Sequence, residues 1–149
     1  MPRHVTHVPL RWADMDALGH VNNVVYLRYL QEARVDMLFV HAPRHGAEHL
    51  ARGVVVSRHE IAYRAPLRFR PLPVRVETWV RRIDAASFTL GYEVLDEVTD
   101  GSRTVYVVAS SVLVPYDLDK GRLRRVGAEE RAVLETFHEL DGPEPGTVA

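Results

Sequence analysis

The feature that most constrains the fold is a single change of hydrophobic period part-way along the chain. Over Val24–His41, apolar side chains recur every three or four residues, as in one long helix packed on a core. From Gly53 onward they recur every second residue, as in strands. The runs Val74–Ile83, Phe88–Val98 and Arg103–Tyr116 are joined by short turns, so neighbouring strands are antiparallel. This order predicts an α+β fold in which a curved antiparallel sheet wraps around one long helix.

Further segments complete the predicted order. Val8–Trp12 alternates apolar and polar residues, which predicts a strand before the helix. Thr104–Pro115 is apolar on both faces, which predicts a strand inside the sheet. Ala128–Leu140 returns to helical spacing, and the Gly- and Pro-rich end predicts a disordered tail over 142–149. The chain has 149 residues and no linker, so residues 1–141 are expected to form one domain.

The first run after Gly53 is expected to have one buried face. Its odd-numbered residues from His59 to Phe69 are mostly apolar and include Ile61 and Tyr63. The even-numbered residues between them are mostly charged. Because successive side chains of a strand point to opposite faces, this alternation predicts a strand with one face in the core and the other in water.

Composition excludes several classes of protein. The chain has no Cys, which rules out disulfides, a Cys nucleophile and thiolate metal sites. Its 19 basic and 20 acidic residues balance, so there is no basic footprint for nucleic acid. No apolar run is long enough for a signal peptide or a membrane span. We therefore expect a cytoplasmic protein with neither a nucleic-acid partner nor membrane insertion.

The loop before the long helix carries the residues best suited to chemistry. Asp14, Asp16 and His20 precede a helix that Asn22 and Asn23 can cap. The first N–H groups of a helix have no intrahelical acceptor, so they stabilise negative charge. They could polarise a carbonyl oxygen while a carboxylate attacks the carbon or activates a water, which describes an acyl-transfer site. The same residues also fit a purely structural interpretation, in which both Asp side chains stabilise the turn and the helix start.

The segment Arg11–Arg34 closely resembles the 4-hydroxybenzoyl-CoA thioesterase-like family. It reads RWADMDALGHVNNVVYLRYLQEAR and combines a strand, an Asp-x-Asp pair, Gly-His-Val-Asn-Asn and Glu-Ala-Arg on the helix. The resemblance in strand pattern extends to about Tyr116. Members of that family have the hotdog fold, hydrolyse acyl-CoA without a metal or a cofactor, and form active sites between subunits. The resemblance therefore implies an acyl-CoA thioesterase that assembles as a homodimer or homotetramer, with no metal site.

The resemblance also implies roles for individual residues. Asp16 matches the catalytic carboxylate, acting as nucleophile or general base, and Asp14 matches a structural one. The backbone N–H of Asn23 matches the donor that polarises the thioester carbonyl, and His20 shapes the same loop. The implied substrate contacts are Gly19, Asn22, Tyr26, Arg82 and Ser87. The last two lie where members of the family contact the nucleotide end of CoA.

Two other functions stay open at this point. A non-catalytic protein that binds acyl-CoA or another acyl ligand would keep the same pocket, although the intact Asp16 argues against it. An acyl-thioester dehydratase or hydratase of the same fold would carry a Pro-rich segment after Gly-His or an Asn-Pro before His. Neither motif is present, because His20 is preceded by Gly and followed by Val-Asn-Asn.

Overall fold

The computed structural model describes residues 2–48, 50 and 53–146. Its elements in chain order are strand β1 (His4–Val8), a 3-10 turn (Trp12–Asp14), helix α1 (Val25–Arg34), a π-helix (Val35–His41), helix α2 (Ala42–Arg44), strands β2 (Val54–Tyr63), β3 (Val74–Ile83), β4 (Phe88–Glu97), β5 (Arg103–Asp117) and β6 (Arg122–Leu123), and helix α3 (Ala128–Glu135). The predicted order of a strand, a long helix, a strand meander and a short helix is confirmed.

The long helix consists of α1, the π-helix and α2, which follow one another without a break. In α1 the buried residues are spaced three or four apart, and they are Tyr26, Tyr29, Leu30 and Ala33. The helix ends where the Ala47 N–H donates to the Ala42 carbonyl at 3.0 Å. Gly46 lies between these two residues with a φ of 96°, a conformation that favours glycine. Within the described ranges, no helix is both long and apolar enough to cross a membrane.

The strands form one antiparallel sheet in the order β1-β3-β4-β5-β2, and β6 pairs with β5. Strand β5 lies between β4 and β2, which confirms that Thr104–Pro115 is inside the sheet. The sheet curls into a half-barrel around the long helix. The core forms between them, and its sheet residues include Val76, Val80, Leu90, Tyr92 and Leu113. This is the α+β architecture that the change of period predicts.

Strand β2 is one edge of the sheet, opposite β1, and none of its ten residues is buried. The prediction of a core face is only partly correct, because Val54 and Ile61 pack against the core while Tyr63 stays 47% exposed. A register shift between Val56 and Arg58 breaks the alternation along the strand. A long edge strand presents unpaired N–H and C=O groups on its open side.

Two predicted boundaries are wrong. The first strand is β1, which pairs with β3, and the predicted Val8–Trp12 instead leaves the sheet at Pro9 and enters the 3-10 turn. Proline lacks the N–H that a sheet ladder needs. The helix predicted over Ala128–Leu140 ends at Glu135. The residues after it exchange backbone hydrogen bonds with Val80 of β3, and this pairing replaces the last helical turn.

The end of the chain contacts the sheet as far as it is described. The sequence predicts a disordered tail over 142–149. Residues 142–146 lie near the outer face of the sheet, where Glu144 forms an ion pair with Arg81 and Pro145 is buried. The remaining part of the predicted tail lies outside the described residues.

Candidate active site

Asp14 is fully buried at the end of the 3-10 turn. Its Oδ2 accepts hydrogen bonds from the Arg11 N–H at 2.9 Å and the Tyr29 hydroxyl at 2.8 Å, and both of its oxygens lie 2.7 Å from Arg28 Nη2. Burial alone would raise the pKa of this carboxyl. The hydrogen bonds from Arg11 and Tyr29 and the charge of Arg28 outweigh burial and hold the pKa of Asp14 below its ordinary value. Asp14 is therefore ionised near neutral pH and fastens the turn to α1.

Asp16 begins a tight turn that ends at His20. The Asp16 N–H donates to the His20 carbonyl at 2.9 Å, and the Gly19 N–H donates to the Asp16 carbonyl at 3.1 Å. Gly19 has a φ of 80°, which explains why glycine is suited to this position. The Asp16 side chain accepts one hydrogen bond, from the Leu18 N–H to Oδ1 at 2.9 Å. Among the described residues it has no cationic partner, so its second oxygen is free for chemistry.

The chain enters α1 through Asn22, Asn23 and Val24. The Asn22 Oδ1 accepts the Val24 N–H at 2.9 Å, and the Asn22 carbonyl accepts the Val25 N–H at the same distance. The Asn23 N–H, in contrast, has no acceptor in the part of the chain that the structure describes. The Tyr63 hydroxyl donates to the Asn23 carbonyl at 2.7 Å and holds this residue in place. An N–H at a helix start carries partial positive charge, so this one suits a developing oxyanion.

A cavity of about 340 Å³ opens between this loop, the start of α1 and the end of β2. We call it the loop cavity, and its lining residues are Asp16, His20, Val21, Asn23, Tyr26, Tyr63, Arg64, Ala65 and Pro66. Four residues that the sequence analysis singles out, Asp16, His20, Asn23 and Tyr26, are thus brought together. Gly19 and Asn22 belong to the same loop without lining the cavity.

Tyr63 and Arg64 also line the loop cavity, and the sequence analysis does not identify them as site residues. The alternation in β2 predicts a core position for Tyr63, whereas Tyr63 is 47% exposed. Its ring lies 5.6 Å from that of Tyr26 at the wall of the cavity. Backbone pairing of His20 with Arg68 brings the segment after β2 against the Asp16–His20 turn. The hydrogen bond from Tyr63 to Asn23 joins residues 40 positions apart, and no local motif signals it. Burial raises the pKa of both Tyr26 and Tyr63, so both phenols stay protonated near neutral pH.

Arg82 and Ser87 lie on the hairpin between β3 and β4, outside the loop cavity. The Arg82 side chain is 73% exposed, and its Nε lies 2.9 Å from Asp84 Oδ1. The Ser87 carbonyl accepts the Asp84 N–H at 2.8 Å. An anion that binds Arg82 would therefore compete with Asp84 for the guanidinium. A single chain does not bring these two residues to the other site residues.

The described ranges contain no group of three or more His, Asp or Glu side chains placed to hold a metal ion. The residues of the loop cavity instead provide a carboxylate, an imidazole, two phenols and a guanidinium beside a free backbone N–H. Such a set can bind an acyl group, polarise its carbonyl and supply a nucleophile or a base.

The sequence model of the thioesterase-like superfamily matches residues 10–135. The chain belongs to this superfamily. The match includes the Asp16–His20 turn, the long helix and strands β2 to β5. No curated protein sequence matches the chain.

Solved structures of proteins described as thioesterases share this fold. A predicted thioesterase from Bacillus stearothermophilus is 22% identical with a TM-score of 0.77, covering 94% of this chain and 99% of that one. A thioesterase from Thermus thermophilus complexed with coenzyme A and Zn is 25% identical with a TM-score of 0.69, covering 94% and 96%. A 4-hydroxybenzoyl-CoA thioesterase mutant complexed with 4-hydroxybenzoyl-CoA is 16% identical with a TM-score of 0.72, covering 90% and 99%. The predicted hotdog fold is confirmed, and the superfamily points to thioester hydrolysis as the general activity.

Proposed function

We propose that this protein is an acyl-CoA thioesterase, which hydrolyses an acyl-CoA thioester to a free acid and CoA. One observation carries the proposal: Asp16 and Asn23 line the same cavity, and the Asn23 N–H has no acceptor among the described residues. A thioester carbonyl that accepts a hydrogen bond from Asn23 would lie in the same cavity as the Asp16 carboxylate. An oxyanion donor and a nearby carboxylate are the two groups that acyl transfer requires.

Two routes for Asp16 are consistent with this geometry. As a general base, Asp16 takes a proton from water while the water oxygen bonds to the carbonyl carbon. The negative charge then collects on the carbonyl oxygen at Asn23, the C–S bond breaks, and the proton on Asp16 passes to the CoA sulfur. As a nucleophile, Asp16 bonds to the carbon and expels CoA, and water then hydrolyses the mixed anhydride. Both routes require an ionised Asp16 with a free oxygen.

In this proposal, the other site residues bind the substrate or shape the loop cavity. His20 and Tyr26 form walls of the loop cavity beside the thioester, and Gly19 and Asn22 fix the backbone that presents Asp16 and Asn23. Arg82 and Ser87 are proposed contacts for the nucleotide end of CoA. Their place on an exposed hairpin suits a group that stays in water while the acyl group enters the protein.

We also propose a homodimer or homotetramer. The support is the open edge of β2, whose ten residues are not buried and have no neighbouring strand on one side in the described part of the chain. A second copy of the chain that covers this edge would protect it from uncontrolled pairing. A sharply monomeric mass at micromolar concentration, measured by light scattering, would contradict this assembly. The cytoplasmic location stays a prediction from composition.

The proposed activity is tested with a panel of short, long and aromatic acyl-CoA substrates. Release of free CoA is followed with a colorimetric thiol reagent, and the absence of Cys means that the protein itself gives no signal. Thiol release above the rate of spontaneous hydrolysis with at least one acyl group supports the thioesterase. Flat traces across the whole panel would overturn it and favour the non-catalytic acyl-binding protein.

A further inference from the structure

A second cavity, of about 260 Å³, lies farther along the long helix. We call it the π-helix cavity. Its apolar walls are Val35, Leu38 and Phe39 of the π-helix and Val54, Val56 and Leu113 of the sheet. Gln31 and Arg34 line its side toward the start of α1. A π-helix is rare in proteins and is frequently found at functional sites, so its presence in the wall of a cavity makes that cavity a candidate binding site.

The two cavities lie between the same two elements, the long helix and β2. Tyr26 and Tyr63 bound the loop cavity, and Leu38 and Val56 bound the π-helix cavity. On the helix, Leu27, Gln31, Arg34 and Leu38 are spaced three or four residues apart and so form one stripe along its length. The stripe therefore joins the loop cavity to the π-helix cavity along one side of the helix.

On β2, the register shift near Ser57 decides which residues face the helix. Val54 and Val56 before the shift line the π-helix cavity, whereas Ile61 and Tyr63 after it pack toward the core and Tyr26. Without the shift, these two sets would point to opposite faces, because they have different parity. The extra residue thus keeps these four side chains on the face toward the helix, with the polar His59 between the two sets.

The space between the cavities is lined by both apolar and polar side chains, and two of the polar ones, His59 and Arg34, are bonded within the protein. Leu27 and Ile61 are half-buried and pack against the core between the two cavities. The His59 Nδ1 lies 2.7 Å from the Ser111 Oγ, and the Arg34 Nη1 donates to the Tyr92 hydroxyl at 3.3 Å. An apolar chain through this space would therefore not break a polar contact that the structure shows.

The distance along the helix sets the length of chain that would reach the π-helix cavity. A helix rises 1.5 Å per residue, so Gln31 lies ~12 Å beyond Asn23 along the axis. An extended chain advances ~1.2 Å per bond, since a residue of three bonds spans about 3.5 Å. An acyl group with its carbonyl at Asn23 therefore needs ~10 carbons to reach Gln31. A butyryl group would end beside Tyr26, inside the loop cavity.

We propose that the π-helix cavity binds the distal part of a long, unbranched acyl chain of ~10 or more carbons, whose thioester lies at Asn23. This inference rests on the proposed function and adds its substrate class. The walls include Val35, Phe39 and Val56, which are 37%, 44% and 41% exposed, and an alkyl chain would remove this apolar surface from water. Six of the cavity's eight described lining residues are apolar, and the two polar ones, Gln31 and Arg34, lie on the side toward the loop cavity.

The test compares two adjacent valines of β2 on opposite faces of the strand. Val56 lines the π-helix cavity and Val55 does not, while their exposures are 41% and 40%. The probes are the thioethers butyl-CoA and dodecyl-CoA, which cannot be hydrolysed, and binding is measured by calorimetry. We expect wild type to bind dodecyl-CoA at least ~10-fold more tightly than butyl-CoA. Val56→Trp should reduce this ratio at least ~10-fold, and Val55→Trp should leave it within about twofold.

Equal binding of both thioethers by wild type would overturn the inference. An equal ratio of dodecyl-CoA to butyl-CoA affinity in the two Trp variants would also overturn it. This includes the case in which Val56→Trp changes only the oligomeric mass because a second copy covers the cavity. Thermal unfolding confirms that both variants are folded, and Val35→Trp gives a second way to fill the cavity from the helix side. Thiol release from butyryl-CoA and dodecanoyl-CoA tests the proposed function separately. Hydrolysis without a length preference would overturn only the inference, and a length preference without hydrolysis would overturn only the thioesterase.

Discussion

Asp14 and Asp16 are two residues apart in one loop, yet their carboxylates differ in burial and in the number of hydrogen bonds they accept. Asp14 is fully buried and bonded by Arg11, Arg28 and Tyr29, whereas Asp16 accepts one backbone N–H and lines a cavity. A carboxylate whose lone pairs are all taken by donors stabilises structure, and one with a free oxygen can react. The comparison teaches that donor count and access, more than residue type, separate a carboxylate that stabilises the fold from one that is free to react.

The largest effect is expected from removing the charge of Asp16. Asp16→Asn keeps the side-chain size and can still accept the Leu18 N–H, but it loses most of its basicity and nucleophilicity. We expect kcat/KM for thiol release to fall at least ~10²-fold, the lower end for loss of a positioned base. The free energy of unfolding should change by less than ~0.5 kcal/mol. A folded variant with wild-type turnover would place the chemistry elsewhere.

Asp14→Asn should act on stability. The variant leaves Arg28 and the buried turn without their anion, so the free energy of unfolding in urea should fall by about 2–4 kcal/mol. Turnover per folded molecule should fall less than ~10-fold, because Asp14 does not line the loop cavity. Asp16→Asn, measured in the same urea series, is the matched control. An unchanged urea midpoint for Asp14→Asn would contradict the structural role.

The stabilising effect of Asp14 should also depend on pH. Its pKa is lowered in the folded protein from an ordinary value of 3.8, so the folded state holds the proton less tightly than the unfolded chain does. The stabilisation is therefore fully present above about pH 4 and is lost as pH falls through the folded pKa. Urea unfolding at pH 7, 5, 4 and 3 should show the gap between wild type and Asp14→Asn closing only below pH 4. A gap that stays constant down to pH 3 would disagree with this account.

The smallest effect is expected from Tyr63. Tyr63→Phe removes the hydroxyl that donates to the Asn23 carbonyl, while the ring remains beside Tyr26. Losing one hydrogen bond that positions the Asn23 backbone should lower kcat about 2–10-fold. Tyr106→Phe is the control, since it also removes a donor hydroxyl but lies outside the loop cavity. Equal losses in the two variants would indicate a general stability effect in place of positioning.

Local patterns predict much of the fold and of the loop. The long helix follows from apolar spacing over Val24–His41, and the position of β5 follows from its two apolar faces. The resemblance of Arg11–Arg34 places Asp16 and Asn23 together because the loop and the helix start are contiguous in sequence. The proximity of residues that are close in sequence can therefore be predicted from a single sequence.

Features that depend on strand pairing could not be predicted. Tyr63 reaches Asn23 only because β2 pairs with β5 and the following segment pairs with His20. The bulge near Ser57 and the π-helix, which shape the second cavity, have no sequence signal in the hydrophobic period. The first strand was displaced from its predicted position because tertiary pairing with β3 outweighs local alternation at Val8–Trp12.

The central claim is that catalysis depends on Asp16 and stability on Asp14. The most direct test measures kcat/KM and the free energy of unfolding for wild type, Asp14→Asn, Asp16→Asn and the double variant. We predict that the double variant has the turnover of Asp16→Asn within about tenfold and the unfolding free energy of Asp14→Asn within ~0.5 kcal/mol. If Asp14→Asn abolished turnover in a folded protein while Asp16→Asn kept most of it, the two roles would be reversed and the claim contradicted.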